Sequence, residues 1–99
     1  MPAYLTARVK VNDPVEFKKY TDLAPAIVKR YGGKVMAKGG RYRIMEGTDK
    51  FHRFVLIEFP SFEDAVRCIE SDEYQQAAAF RRAPGVSEID QVIIDSGEA

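Results

Sequence analysis

The run Phe54-Val55-Leu56-Ile57-Glu58-Phe59 constrains this chain more than any other stretch. Side chains of a β-strand alternate between two faces. Here both sets are apolar: Val55, Ile57 and Phe59 on one side, Phe54 and Leu56 on the other, with Glu58 the single interruption. A strand of that kind lies inside a sheet and is covered on both faces. The fold must therefore place a layer on each side of this strand. Ninety-nine residues are enough for one domain with one core.

The remaining elements follow from periodicity and punctuation. Residues 3–11 read as a first strand, with Ala3, Leu5, Ala7, Val9 and Val11 on one face and Tyr4, Thr6, Arg8 and Lys10 on the other. Asp13 suits a helix N-cap, Pro14 the first helical position, and Glu16 the return half of a capping box. Phe17, Tyr20, Ala24, Ile27 and Tyr31 then form one apolar stripe at helical spacing. Pro25 predicts a kink near the middle of that helix, and Gly32 a left-handed C-terminal cap. The segment KVMAKGGRYRIMEG reads as a longer strand bent at Gly39-Gly40, followed by a turn at residues 47–50 and a third strand over Phe51–Phe59. Ser61 and Ser71 are successive helix caps, so SDEYQQAAAFRR is a new helical segment, and SEIDQVIID supplies the last strand.

The order is β-α-β-β-α-β, an α+β ferredoxin-like plait with an antiparallel sheet and both helices on one face. There is no tandem repeat or linker, so residues 1–99 are read as a single ferredoxin-like domain. The helices cover one face of the third strand and leave the other bare. A second copy packed sheet against sheet is the simplest cover, and a two-fold homodimer through the open sheet face is expected.

Composition excludes several function classes. Fifteen basic side chains balance fifteen acidic ones, so no net field favours nucleic acid or an anionic membrane, and neither is expected as a partner. No apolar run reaches the length of a membrane span and no export signal is present, so a cytoplasmic protein is expected. Cys68 is the lone cysteine and His52 the lone histidine, which leaves no metal-ligand set. The paired glycines lack the lysine and hydroxyl of a phosphate loop, and no serine sits in a nucleophile elbow. No cofactor is expected.

The segments PAYLTARVKVNDPVEFKKY, YGGKVMAKGG, VLIEFPSFEDA, SDEYQQAAAFRR and VIIDSG together span nearly the whole chain. In that order they resemble a bacterial family known as a domain of unknown function, thirteen-thirty in that series, of the dimeric α/β-barrel superfamily. The resemblance implies a dimer with a cavity between sheet and helices. It also implies relatives as diverse as cofactor-free monooxygenases, isomerases and haem-dependent enzymes, so the fold by itself selects no reaction.

Candidate site residues follow from both sources. Glu58 is the candidate catalytic carboxylate, expected at the end of the third strand beside Tyr4 and Thr6 of an antiparallel neighbour, with Arg8 toward the opposite end. Tyr4, Thr6 and Arg8 are candidate ligand contacts. Arg81 falls on an arginine that recurs in the resembled family, and with Tyr74 it suits the anionic end of a ligand by bidentate bonding. The leading expectation is a small homodimeric protein that binds a partly apolar or acidic organic molecule. The alternative is a cofactor-free enzyme, monooxygenase- or isomerase-like, in which Glu58 transfers a proton. The bland reading makes the same residues hydrogen bonds and ion pairs of a dimer seam.

Overall fold

A computed structural model of the chain describes residues 1–97. The elements are β1 (Ala3–Val11), α1 (Pro14–Arg30), β2 (Lys34–Lys38), β3 (Arg53–Phe59), α2 (Phe62–Glu70), α3 (Asp72–Arg82) and β4 (Ser87–Asp95). The four strands form one sheet in the order β2-β3-β1-β4, with every adjacent pair antiparallel. This is the ferredoxin-like plait, with its second helix divided in two.

Local chemistry accounts for the divisions. The Asp13 carboxylate accepts hydrogen bonds from the backbone N–H groups of Val15 and Glu16 and so starts α1. Glu16 pairs with Lys19 instead of returning to the cap, so only half of the expected capping box forms. Ser71 both ends α2 and begins α3. Its hydroxyl donates to the Cys68 carbonyl at 2.7 Å and accepts from the Tyr74 N–H at 3.2 Å. One side chain thus satisfies a terminal acceptor of one helix and a terminal donor of the next.

Two sequence expectations are corrected. Pro25 does not interrupt α1, which runs unbroken from Pro14 to Arg30. Pro25 is exposed, and packing of the neighbouring Ala24, Ile27 and Val28 in the interior holds the helix together across it. Residues 41–46 do not form the far half of a bent strand. Gly39 has φ +70°, which turns the chain away after β2 ends at Lys38. Tyr42 then lays its ring on Phe54 with the centroids 4.7 Å apart, covering part of the open sheet face instead of extending the ladder. The irregularity in pairing lies at Met36, between Val35 opposite Ile57 and Ala37 opposite Leu56. Strand β3 accordingly begins at Arg53, with Phe51 buried before it.

The odd positions of β1 and β3 face the helices. Leu5, Ile57 and Phe59 pack there with Ile27, Val28, Ala65, Cys68, Ala77 and Ala78. A smaller cluster of Val9, Phe17 and Val86 closes the other end. Burial pushes the Cys68 thiol up to about 11, with the charge of Glu73 adding to the shift, so this sulfur is packing material. Helix α1 rests mainly along α3 and touches the sheet at its two ends. The space between those ends positions the site.

Candidate functional site

A cavity of about 390 Å³ lies between α1 and the sheet. Leu5, Ala7, Val9, Val55, Ile57 and Ile89 form the sheet wall, and Phe17, Ala24, Pro25 and Val28 the helix wall. Phe17 packs with Val9 at one end and Val28 with the main core at the other, and Ala7 and Ala24 are among the side chains lining the space between. Small side chains on facing elements leave room where native cores otherwise interdigitate. Lys38, Gly39 and Arg53 also line the cavity, and the Arg53 guanidinium lies 5.2 Å from the centre of the Phe17 ring.

Polar groups gather on one side. The hydroxyls of Tyr20 and Tyr74 are 2.8 Å apart. The Tyr74 oxygen also accepts from Gln91 Nε2 at 2.8 Å and from Arg81 Nη2 at 3.4 Å. Tyr20, Tyr74 and Gln91 line the cavity, and Arg81 stands behind them, with its guanidinium 5.1 Å from the centre of the Tyr20 ring. Arg81 is 3% exposed, and its Nε has no hydrogen-bond partner. Among the described residues no carboxylate pairs with it. Its place in the last turn of α3 lets the helix carbonyls offset part of the charge. Burial holds the Tyr20 hydroxyl well above the usual phenol range, Tyr74 pushes it further the same way, and Arg81 opposes both only in part. Tyr20 is therefore a neutral donor at physiological pH.

The sheet separates the residues singled out from sequence into two groups. Tyr74 and Arg81 belong to the cavity's polar side. Glu58, Tyr4, Thr6 and Arg8 occupy the opposite face. Tyr4 pairs across from Glu58, Thr6 from Leu56 and Arg8 from Phe54. Glu58 also stands opposite Lys34. Arg8 is held by Asp90 Oδ2 at 2.9–3.0 Å and lies 4.4 Å above the Phe51 ring. Nothing on that face lines the cavity, so Glu58 and Arg81 do not act on one ligand there.

Sequence patterns did not mark Tyr20 or Gln91 as site residues. Tyr20 sits in the apolar stripe of α1, where its ring does pack, against Phe17 at 5.5 Å and edge-on to Tyr74 at 6.0 Å. Gln91 left a signal, as a polar residue between Ile89 and Ile93 in the middle of the inward parity of β4.

The open face carries a different character. Val92 is 54% exposed and Ile94 50%, on the same face of the sheet as the half-buried Phe54 and Leu56. Among the described residues no helix is long and apolar enough to cross a membrane.

Comparison with known proteins places the chain. The family described as a domain of unknown function, DUF1330, matches residues 2–96. No curated protein matches. The RPA0582 protein of unknown function from Rhodopseudomonas palustris is similar in structure, with a TM-score of 0.76 at 19% identity over 99% of this chain and 84% of that one. SnoaB of Streptomyces nogalater, a cofactor-independent oxygenase, is similar with a TM-score of 0.61 at 17% identity over 99% and 95% of the two chains. A dimeric protein of unknown function with a ferredoxin-like fold from Bacteroides fragilis has a TM-score of 0.63 at 13% identity, covering 95% of each chain. At these identities the likeness is one of fold.

Proposed function

We propose that this chain, which belongs to the DUF1330 family, binds a small, largely apolar organic molecule in the cavity between α1 and the sheet. The observation that carries this reading is a cavity of about 390 Å³ whose walls are apolar and whose hydroxyl and amide groups converge at Tyr74. Ligand sites have that composition, with apolar walls for affinity and a few fixed polar groups for orientation. The volume suits a molecule of one or two rings. Lys38 and Arg53 favour an acidic or electron-rich substituent.

A thermal-shift screen of small phenols, ketones and carboxylic acids tests the proposal. A ligand at about one hundred times its Kd stabilises the native state by about 2.7 kcal/mol, a readily measured rise in Tm. Aromatic compounds are expected to give that rise, and Ala24→Leu, which narrows the cavity, is expected to reduce it. Silence across the whole screen, or shifts unchanged in the narrowed cavity, would sink the reading.

An enzymatic reading has one observation in its favour, the buried phenol pair beside an unpaired guanidinium. The fold shared with SnoaB is compatible with it. Any proton transfer in the cavity then belongs to Tyr20, since Glu58 lies across the sheet. Glu58, Tyr4 and Thr6 fit a seam between two copies better. Val92, Ile94, Phe54 and Leu56 make the open face apolar enough to need cover, and a second copy supplies it by two-fold symmetry. Sedimentation at micromolar concentration is expected to show a dimer, and Val92→Lys to move it toward monomer. A wild-type monomer would remove this part of the proposal.

A further inference from the structure

The direction of the hydrogen bonds at the polar side of the cavity specifies a ligand class. Tyr74 has one hydroxyl proton and two acceptor lone pairs. Gln91 Nε2 and Arg81 Nη2 both donate to its oxygen, at 2.8 and 3.4 Å. Both acceptor positions are then taken, and the Tyr74 proton goes to the one remaining neighbour, the Tyr20 oxygen at 2.8 Å. Tyr20 therefore keeps its own proton for a partner beyond the pair. Since Tyr20 lines the cavity, an oxygen of a molecule bound there can accept it.

Charge points the same way. Arg81 is nine-tenths buried and more, without a carboxylate among the described residues, and its Nε is left without a partner. An uncompensated cation in a low-dielectric interior is costly, and an anion placed nearby recovers much of that cost. Donors in a chain polarise one another, so a guanidinium at one end strengthens the O–H at the other. We propose that Arg81, Tyr74 and Tyr20 form an oxyanion site, which binds an acidic phenol or enol as its conjugate base, the proton leaving to solvent.

This inference rests on the cavity being a ligand site and deepens it. The two are separable because an apolar cavity alone and an oxyanion site shift a bound phenol in opposite directions. Burial favours the neutral phenol, whereas the donor chain favours the phenolate. The probe is 4-nitrophenol, whose phenolate absorbs in the visible, titrated with pH in the presence of excess wild-type protein. The charged and titratable groups around it are Tyr20, Tyr74, Lys38 and Arg53, with Arg81 behind.

The bound probe is expected to ionise at lower pH than the free one. In Tyr20→Phe, a change in a half-buried residue that leaves both donors to Tyr74 in place, the bound phenolate-to-phenol ratio at fixed pH is expected to fall about tenfold, one pKa unit. Arg53→Gln serves to separate the contribution of Arg53. Binding with the probe ionising at higher pH than in water leaves the cavity as a ligand site and overturns the oxyanion inference. The inference is equally overturned if Tyr20→Phe leaves the ratio unchanged while Arg53→Gln lowers it. Absence of any saturable spectral or thermal change for this probe overturns it too, and if the screen is also silent the cavity reading falls with it.

Discussion

A Tyr74→Phe variant is expected to lose roughly 2–4 kcal/mol of unfolding free energy, although the change removes a single oxygen atom. The hydroxyl of Tyr74 serves three groups: it accepts from Gln91 and Arg81 and shares a hydrogen bond with Tyr20. Tyr74 is 1% exposed and Arg81 3% exposed, so little water can replace the missing oxygen. Each donor left unsatisfied costs about 1–3 kcal/mol, with a charged group toward the upper end. Urea denaturation measures the loss as a lower midpoint at unchanged slope. Tyr20→Phe makes the informative contrast. It removes one hydrogen bond but leaves Gln91 and Arg81 with their acceptor, so its cost is expected to be the smaller of the two. Equal losses, or a Tyr74→Phe loss below about 1 kcal/mol, would mean that Tyr74 does not organise this cluster.

Phe59→Ala is expected to cost about 3–5 kcal/mol, a large part of the stability of a domain this size. Phe59 is fully buried at the end of β3, paired with Ala3 and packed in the main core. Its surroundings have little freedom to collapse into the space. A Cβ placed on Gly33 would come within 3.0 Å of the Phe59 ring, 2.4 Å of Val28 Cγ1 and 2.9 Å of the Val28 carbonyl. The chain therefore already passes the ring as closely as a glycine allows. The Tm is expected to fall by roughly 12 °C or more, at about 4–8 °C per kcal/mol for a domain of this length. A loss under about 2 kcal/mol would show that the Gly32-Gly33 turn moves in to fill the hole.

Both variants test features that differ in how far the sequence disclosed them. Phe59 was legible as a core residue because strand parity is a local property, and β3 is apolar on its inward side whatever surrounds it. Asp13, Ser61 and Ser71 were legible as caps for the same reason, since a cap needs only its own side chain and the next few N–H groups. The register of Tyr4 with Glu58 followed from antiparallel pairing of the first and third strands. The path of residues 41–46 was not legible, because alternation in KVMAKGGRYRIMEG is equally consistent with a strand and with a loop that packs one aromatic. The contact of Tyr42 with Phe54 decided between them, and that contact is not local. Glu58 was conspicuous in sequence as a charge among apolar neighbours, yet its position reflects the open face of the sheet and not the cavity.

By itself, the sequence determined the element order, the caps and the two-sided apolar character of β3, and through these the ferredoxin-like plait. All of these rest on periodicities and contacts within a few residues along the chain. Only the tertiary structure decided where a ligand could sit. The cavity exists because α1 leans on α3 and meets the sheet through Phe17 and Val28, with Ala7 and Ala24 among the short side chains lining the space between. Its polar side joins residues 20, 74, 81 and 91, which come from two helices and a strand. No local pattern encodes the distance between a helix and a sheet, and that distance is what turns four scattered side chains into one site.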